Sequence, residues 1–351
     1  LTEGGEAEKF QRRHAAYFAS LAEQAETEIL EGKQRHWFKR LLSEHDNLRA
    51  ALAFALGSGE CELGLRIGGA LRDFWNYSGH AGEGLGWIKR TLEVTGEVSP
   101  AVRAKVLNAA GSLSFVQGNY ERGKLFNNQA LALYRELGDQ VNIAWALVFL
   151  SSNCTGSLSD IKEGIELVEE ALTLFRAQGD KPGIIRALNL LGELSRLDGD
   201  YERAGEAYEE CLALCRRSYD RLREAYALAN SGTVAQHQGN YEQAESRMKK
   251  ALALFHDLKN IYPLALTLGF FAGPVAAQGD PQRAAQLLGA SDGLLKAMGL
   301  HQQPSDQPEI ASYEAAVREQ LTEESFKAAW EKGHAMSLEQ AIAYVLEEES
   351  E

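Results

Sequence analysis

Two short strings in the sequence carry the residue types of catalytic loops. Gly118-Asn119-Tyr120-Glu121-Arg122-Gly123-Lys124-Leu125 has the glycine and lysine spacing of a phosphate-cradling loop. That loop needs a serine or threonine hydroxyl after the lysine to hold Mg²⁺, and Leu125 stands there instead. It also needs a strand before it, whereas the residues ahead of Gly118 follow a helical period. Gly289-Ala290-Ser291-Asp292-Gly293 has the spacing of a nucleophile elbow, whose serine is exposed by a sharp strand-to-helix turn. Ala284, Leu287 and Leu288 precede it at helical steps, so the elbow geometry is not expected. Neither nucleotide binding nor serine hydrolysis is expected from these strings, and no catalytic residue is assigned.

Other reactive residue types are sparse. Cys211 and Cys215 are four apart on one helical face, and core packing is their expected role. The remaining histidines and cysteines are scattered without zinc-ligand spacing, so neither a metal nor a cofactor is expected. His45, within Glu44-His45-Asp46-Asn47, is expected to pack or cap a helix in preference to acting as a base. The 36 basic and 50 acidic side chains among 351 residues give a net charge of −14. That surplus opposes phosphate-backbone binding, which draws on Lys and Arg. Four cysteines are too few for a disulfide scaffold. The most apolar stretch, Leu264 to Ala277, is shorter than the roughly 20 residues that span a bilayer. A cytoplasmic chain with no membrane contact is expected.

What must position any site is a repeat. Gly118-Asn119-Tyr120-Glu121, Gly199-Asp200-Tyr201-Glu202, Gly239-Asn240-Tyr241-Glu242 and Gly279-Asp280-Pro281-Gln282 line up, the last three glycines being 40 residues apart. Ser159-Asp160-Ile161 and Gly79-His80-Ala81 mark two weaker copies, which makes six units over about 240 residues. Each unit reads as two helices. Tyr201, Ala204, Tyr208, Cys211, Leu212 and Cys215 fall at steps of three, four, three, one and three along one face. The Gly-Asn/Asp pair breaks the helix and caps the next one. Small residues at Gly192, Gly232, Ala204 and Ala244 are expected to let helix backbones approach closely. Such units cannot bury their apolar faces alone and must stack.

Leu191-Gly192, Gly199, Tyr201, Ala204 and Ala251 fall where tetratricopeptide repeats place their signature residues, on a 40-residue period instead of about 34. Long repeats of this kind resemble the C-terminal half of bacterial signal-transduction ATPases of the maltose-regulator and LuxR-type families. Arg13-His14-Ala15-Ala16-Tyr17-Phe18 and Glu44-His45-Asp46-Asn47-Leu48-Arg49-Ala50-Ala51-Leu52 resemble the segment that follows the ATPase module there. Phe326-Lys327-Ala328-Ala329-Trp330 through Ala341 resembles the usual ending. The chain opens on Leu1 inside this pattern, which implies a piece of a longer protein with an upstream ATPase module.

The expected fold is all-α, a right-handed superhelical solenoid of stacked antiparallel helix pairs. Residues 1–60 are expected to form a helical lead-in, 61–300 the repeats and 301–351 a linker and helical cap. The linker is Gln302-Gln303-Pro304-Ser305-Asp306-Gln307-Pro308, and Ser337 with Gln340 makes a capping box for the last helix.

The first helix of each unit would line a concave groove. The repeat register places Lys105, Asn108, Ser112, Phe115, Phe149 and Asn153 there. It adds Arg186, Asn189, Glu193, Arg196, Tyr226, Asn230, Thr233, Gln236 and His237, and, in the weakest unit, Arg66, Asp73, Asn76 and Tyr77. Amides and guanidinium groups suit directional bonding to peptide backbone, carboxylate or sugar, and the aromatics offer stacking faces. The expected function is a non-enzymatic recognition scaffold that binds a protein, a peptide or a small inducer. The resemblance implies that the ligand shifts the ATPase between states, with DNA binding left to another module. The alternatives are an oligomerisation module that self-associates, or an enzyme whose site is assembled between repeats.

Overall fold

The structure is a computed structural model and describes residues 2–30, 33–93, 97–302 and 305–346. The described residues contain nineteen α-helices and no strand, and none of these helices is long and apolar enough to cross a membrane. The chain divides into two compact units, Leu1–Cys154 and Thr155–Glu351.

The first unit opens with α1 (Thr2–Leu30), α2 (Gln34–Ser43) and α3 (His45–Gly57). It continues with α4 (Cys61–Ala70), α5 (Arg72–Tyr77), α6 (Ala81–Glu93), α7 (Pro100–Val116), α8 (Tyr120–Leu137) and α9 (Gln140–Asn153). One apolar core joins α1 to the pairs that follow, with Trp37, Leu48, Leu52, Leu65, Ile67, Phe74 and Trp75 almost fully buried in it.

The second unit runs α10 (Ile161–Gln178), α11 (Lys181–Leu197), α12 (Tyr201–Ser218), α13 (Arg221–His237), α14 (Tyr241–Asp257), α15 (Ile261–Ala277) and α16 (Pro281–Ala297). Then come α17 (Gln307–Gln320), α18 (Glu323–His334) and α19 (Leu338–Leu346). Consecutive helices pack as antiparallel pairs: α11 on α12, α13 on α14, α15 on α16. The 40-residue period closes arithmetically. α11 has 17 residues and α12 has 18, and breaks of three (198–200) and two (219–220) residues complete the unit.

Local chemistry sets those breaks. Gly118, Gly199, Gly239 and Gly279 adopt φ between 71° and 91°, a left-handed state that costs glycine little. Asn119, Asp200 and Asp280 follow, and each side chain accepts the backbone N–H three residues on. The break that closes a unit uses Gly138 and Gly179 early in the chain, but Tyr219 and Lys259 later, at φ of 57° and 56°.

The small residues differ from expectation in what fills their space. A Cβ on Gly192 would stand 2.6 Å from the Tyr208 ring, so a side chain occupies that gap, not a backbone. At Gly232 the neighbours are Met248 and, at 3.1 Å, the Ala244 carbonyl, so here the helices do come close. The linker residues Gln303 and Pro304 lie outside the described residues. Ser337 and Gln340 form the reciprocal cap that starts α19, with bonds of 2.8 and 3.2 Å.

Candidate functional site

In the second unit the polar positions of α11 and α13 form two adjacent rows. Arg186 and Asn189 on α11 are half-buried, as are Tyr226 and Asn230 on α13. The Asn230 amide donates to Asn189 Oδ1 at 3.5 Å, which places the two rows side by side. Thr233 is buried and donates to the Ala229 carbonyl, so it belongs to its own helix. The Tyr226 ring meets the buried Phe255 edge-on.

Toward the ends of the same two helices, the chain supplies its own ligand. Glu309, in the first turn of α17, sits between Arg196 of α11 and His237 of α13. Arg196 donates to Glu309 Oε2, His237 Nε2 lies 2.8 Å from Oε1, and the Tyr313 hydroxyl donates to Oε1 at 2.5 Å. The His237 ring stacks on Tyr201 with centroids 4.5 Å apart. Burial pushes the Glu309 carboxyl up, but the bonds from His237 and Tyr313 and the Arg196 charge prevail and hold it below the usual range.

Two further acids share this one guanidinium. Burial raises the Glu193 carboxyl, opposed by Arg196 and Arg186. Burial, and after it the Glu193 charge, lifts Asp306 to about 7. Together they form a seat for one carboxylate with a surplus of acid around it. Gln236 packs against Gly273, close enough that a Cβ there would meet its amide at 2.1 Å.

The polar positions of the first unit are mostly engaged within it. Lys105 reaches Glu26 of α1 at 2.5 Å, and Arg66 makes two bonds to Glu23 at 2.7 and 2.8 Å. Asn76 donates to Ser112 at 3.0 Å, and Asp73 accepts from Arg72. Asn108 and Asn153 are buried, the latter donating to the Phe149 carbonyl and filling the space left by Gly123. Phe149 lies under the Arg72 guanidinium, and Phe115 meets Tyr120 edge-on. Tyr77 stays exposed.

A cluster that sequence spacing did not reveal lies in the same unit. His45 opens α3, His80 precedes α6, and Glu83 lies in the first turn of α6. Their donor atoms all fall within 4.8 Å of one another. The Arg49 guanidinium grips both Glu83 oxygens at 2.6 and 2.7 Å, and Trp87 Nε1 donates to the same carboxylate at 3.2 Å. These contacts hold Glu83 down to about 2. His45 is buried, with Phe74 edge-on to its ring at 5.5 Å.

The two catalytic-looking strings have packing explanations. Gly118 and Asn119 are the break and cap that start α8. The elbow-like string lies inside α16, where Gly289 and Gly293 face α18. A Cβ on Gly289 would stand 2.1 Å from the Trp330 carbonyl, and one on Gly293 2.5 Å from that of His334. From the other side, a Cβ on Gly333 would meet the Gln286 carbonyl at 1.9 Å. The glycines are there for helix-to-helix contact. All four cysteines are buried thiols.

Residues 153–217 and 183–257 match the family model described as tetratricopeptide repeat. These are tetratricopeptide repeats. A protein of Mycobacterium tuberculosis that carries the name HTH-type transcriptional regulator is 31% identical over 208 residues, covering 57% of this chain. The chain spans 23% of that relative's length. Among solved structures, a signal transduction ATPase with numerous domains and a tetratricopeptide repeat sensor, from Pyrococcus horikoshii, aligns over 98% of this chain and 54% of its own. Its TM-score is 0.54 at 13% identity. NprR in complex with its peptide NprX aligns over 88% and 86% at a TM-score of 0.54 and 19% identity. A Rap protein complexed with Competence and Sporulation Factor covers 90% and 100% at 0.57 and 12%. At these identities the likeness is one of fold. The tetratricopeptide helices α11 and α13 hold Arg196 and His237 of the Glu309 cluster.

Proposed function

We propose that this tetratricopeptide chain is a non-enzymatic recognition domain of a larger bacterial signalling ATPase or transcriptional regulator. It takes a protein, peptide or small inducer against the first helices of its repeats. The observation that carries the reading is the half-exposed row of Arg186 and Asn189 beside Tyr226 and Asn230. Paired amides one repeat apart fit the alternating donors and acceptors of an extended backbone, and the guanidinium and ring add a carboxylate anchor and a stacking face. The regulator name of the mycobacterial relative and the complexes of NprR with its peptide NprX and of Rap with Competence and Sporulation Factor support the same reading. An upstream ATPase module and DNA binding, if present in the full protein, lie outside this segment, whose charge of −14 opposes contact with phosphates.

The test is a thermal-shift screen against short peptides, sugars, nucleotides and amino acids. A parallel sample carries Arg186→Ala, Asn189→Ala and Asn230→Ala together, with Arg196 left intact because it is paired with Glu309. A ligand at 100 times its Kd should stabilise the chain by about 2.7 kcal/mol. Stabilisation of wild type but not of the folded variant supports the groove. Equal stabilisation of both places the ligand elsewhere, and no hit across the screen, followed by no protein captured, sinks the reading.

A further inference from the structure

We propose that His45, His80 and Glu83 form a binding site for a divalent transition-metal ion, zinc foremost, at the joint between α3 and α6. Two imidazoles and a carboxylate are the donor set that zinc, cobalt and nickel prefer, and three protein ligands leave a coordination position for water. The donors converge from two segments of chain: His45 from the first turn of α3, His80 and Glu83 from the start of α6.

The decisive feature is His45. It is 9% exposed, yet its Nε2 is buried and makes no hydrogen bond. Glu83 Oε1 stands 3.5 Å away, a loose ionic contact and not a hydrogen bond, and the His80 ring lies against the His45 ring at 4.5 Å. A buried polar atom without a partner is costly, and a metal ion between the three donors would satisfy it.

Zinc–nitrogen bonds of about 2.0–2.1 Å require the donors to draw in by roughly an ångström. His80 can supply that movement, because its side chain is 33% exposed and Nδ1 is 4.0 Å from Glu83 Oε2. The contacts that hold Glu83 would then act as the outer shell that orients a ligating carboxylate, Trp87 from one side and Arg49 from the other. Arg49 also brings a positive charge close to the ion. Its Nη1 already reaches Asp46 at 3.2 Å, and Asp46 is 95% exposed, so the guanidinium has a second carboxylate to lean on when the metal enters.

The test is a titration of the full chain with cobalt(II) and with zinc, read by visible absorption and by calorimetry. Wild type should take up one equivalent, with ligand-field bands characteristic of nitrogen ligation. His80→Ala, at a partly exposed position, should weaken that binding by at least about 100-fold, while His14→Ala should leave it intact. Circular dichroism confirms that each variant is folded. The cobalt spectrum of wild type needs no variant, so a fold defect in His80→Ala would not hide the answer. No one-equivalent site in wild type, or unchanged affinity in folded His80→Ala, overturns the proposal.

Discussion

Arg196 and Glu309 are 113 residues apart in the chain and close into an ion pair whose side chains are 9% and 10% exposed. Through this pair the helix that follows the repeats is pinned onto the repeats themselves. Half of the polar row in the second unit is thereby occupied by the chain, and half is left open.

Removing one partner of that pair leaves a buried charge uncompensated. Arg196→Ala is expected to cost about 3–5 kcal/mol in urea denaturation, and Glu309→Gln less, since the amide can still accept from Arg196 and Tyr313. Hydrogen exchange should show α17 released in Arg196→Ala. Unchanged protection across 307–320 would contradict the pinning role.

The pH response of the same cluster has a definite sign. Asp306 titrates at about 7 when folded against an ordinary 3.8, so between those values the folded chain binds the extra proton. Stability from this group is therefore present at low pH and is lost as pH rises toward 7. Each unit of displacement is worth about 1.4 kcal/mol, so the total is on the order of a few kcal/mol. Asp306→Asn should raise Tm relative to wild type at about pH 8 and give no such gain at about pH 4. An equal difference at both would show that the carboxyl's ionisation is not the cause.

Gly333→Ala should separate α16 from α18. Its Cβ would lie 1.9 Å from a backbone oxygen, which cannot turn aside as a side chain can. A loss of about 3 kcal/mol or more is expected. Gly205→Ala makes the contrast, because nothing lies within 4 Å of its Cβ in the interior of α12, and a gain of about 0.5–1 kcal/mol is expected there. Calorimetry of the two variants side by side decides the matter.

Tyr219 and Lys259 hold left-handed angles that earlier units give to glycine. That conformation costs about 1–2 kcal/mol for an L-residue, and glycine gives back roughly 0.5–1 kcal/mol through the unfolded state. Tyr219→Gly is expected to stabilise by on the order of 0.5 kcal/mol, since the ring is 89% exposed and little packing is lost. A lower denaturation midpoint in Tyr219→Gly would mean that the ring makes contacts that its exposure does not suggest.

The helix pairs were legible in the sequence because their signals are local. A glycine that must go left-handed, an Asp or Asn after it, and an apolar face at steps of three and four are written within a few residues of each other. The period of 40 could likewise be read from Gly199, Gly239 and Gly279 alone. The rows on α11 and α13 followed from that register. What occupies them did not: Glu309 reaches Arg196 from a different segment, and no local pattern marks an acid at the start of α17 as a partner for the groove. His45 and His80 illustrate the same limit, since α4 and α5 lie between them and bring them together only by folding. The elbow-like string has no strand before it, which excludes an elbow but does not say why the glycines are there. Its true cause, two glycines four apart against a third on α18, needs the partner helix to be seen.

That glycine contact also bears on how long such a chain can be. A row of self-similar units has no internal instruction to stop, because the far face of each one suits another copy. Here the last pair turns its far face to α18, and Gly289, Gly293 and Gly333 allow an approach that a standard repeat helix would block. The glycine-lined approach of α18 is made to α16. Duplication of an interior 40-residue unit would lengthen the array and leave the α16–α18 contact untouched, so copy number can change in evolution or by design without that contact being reinvented.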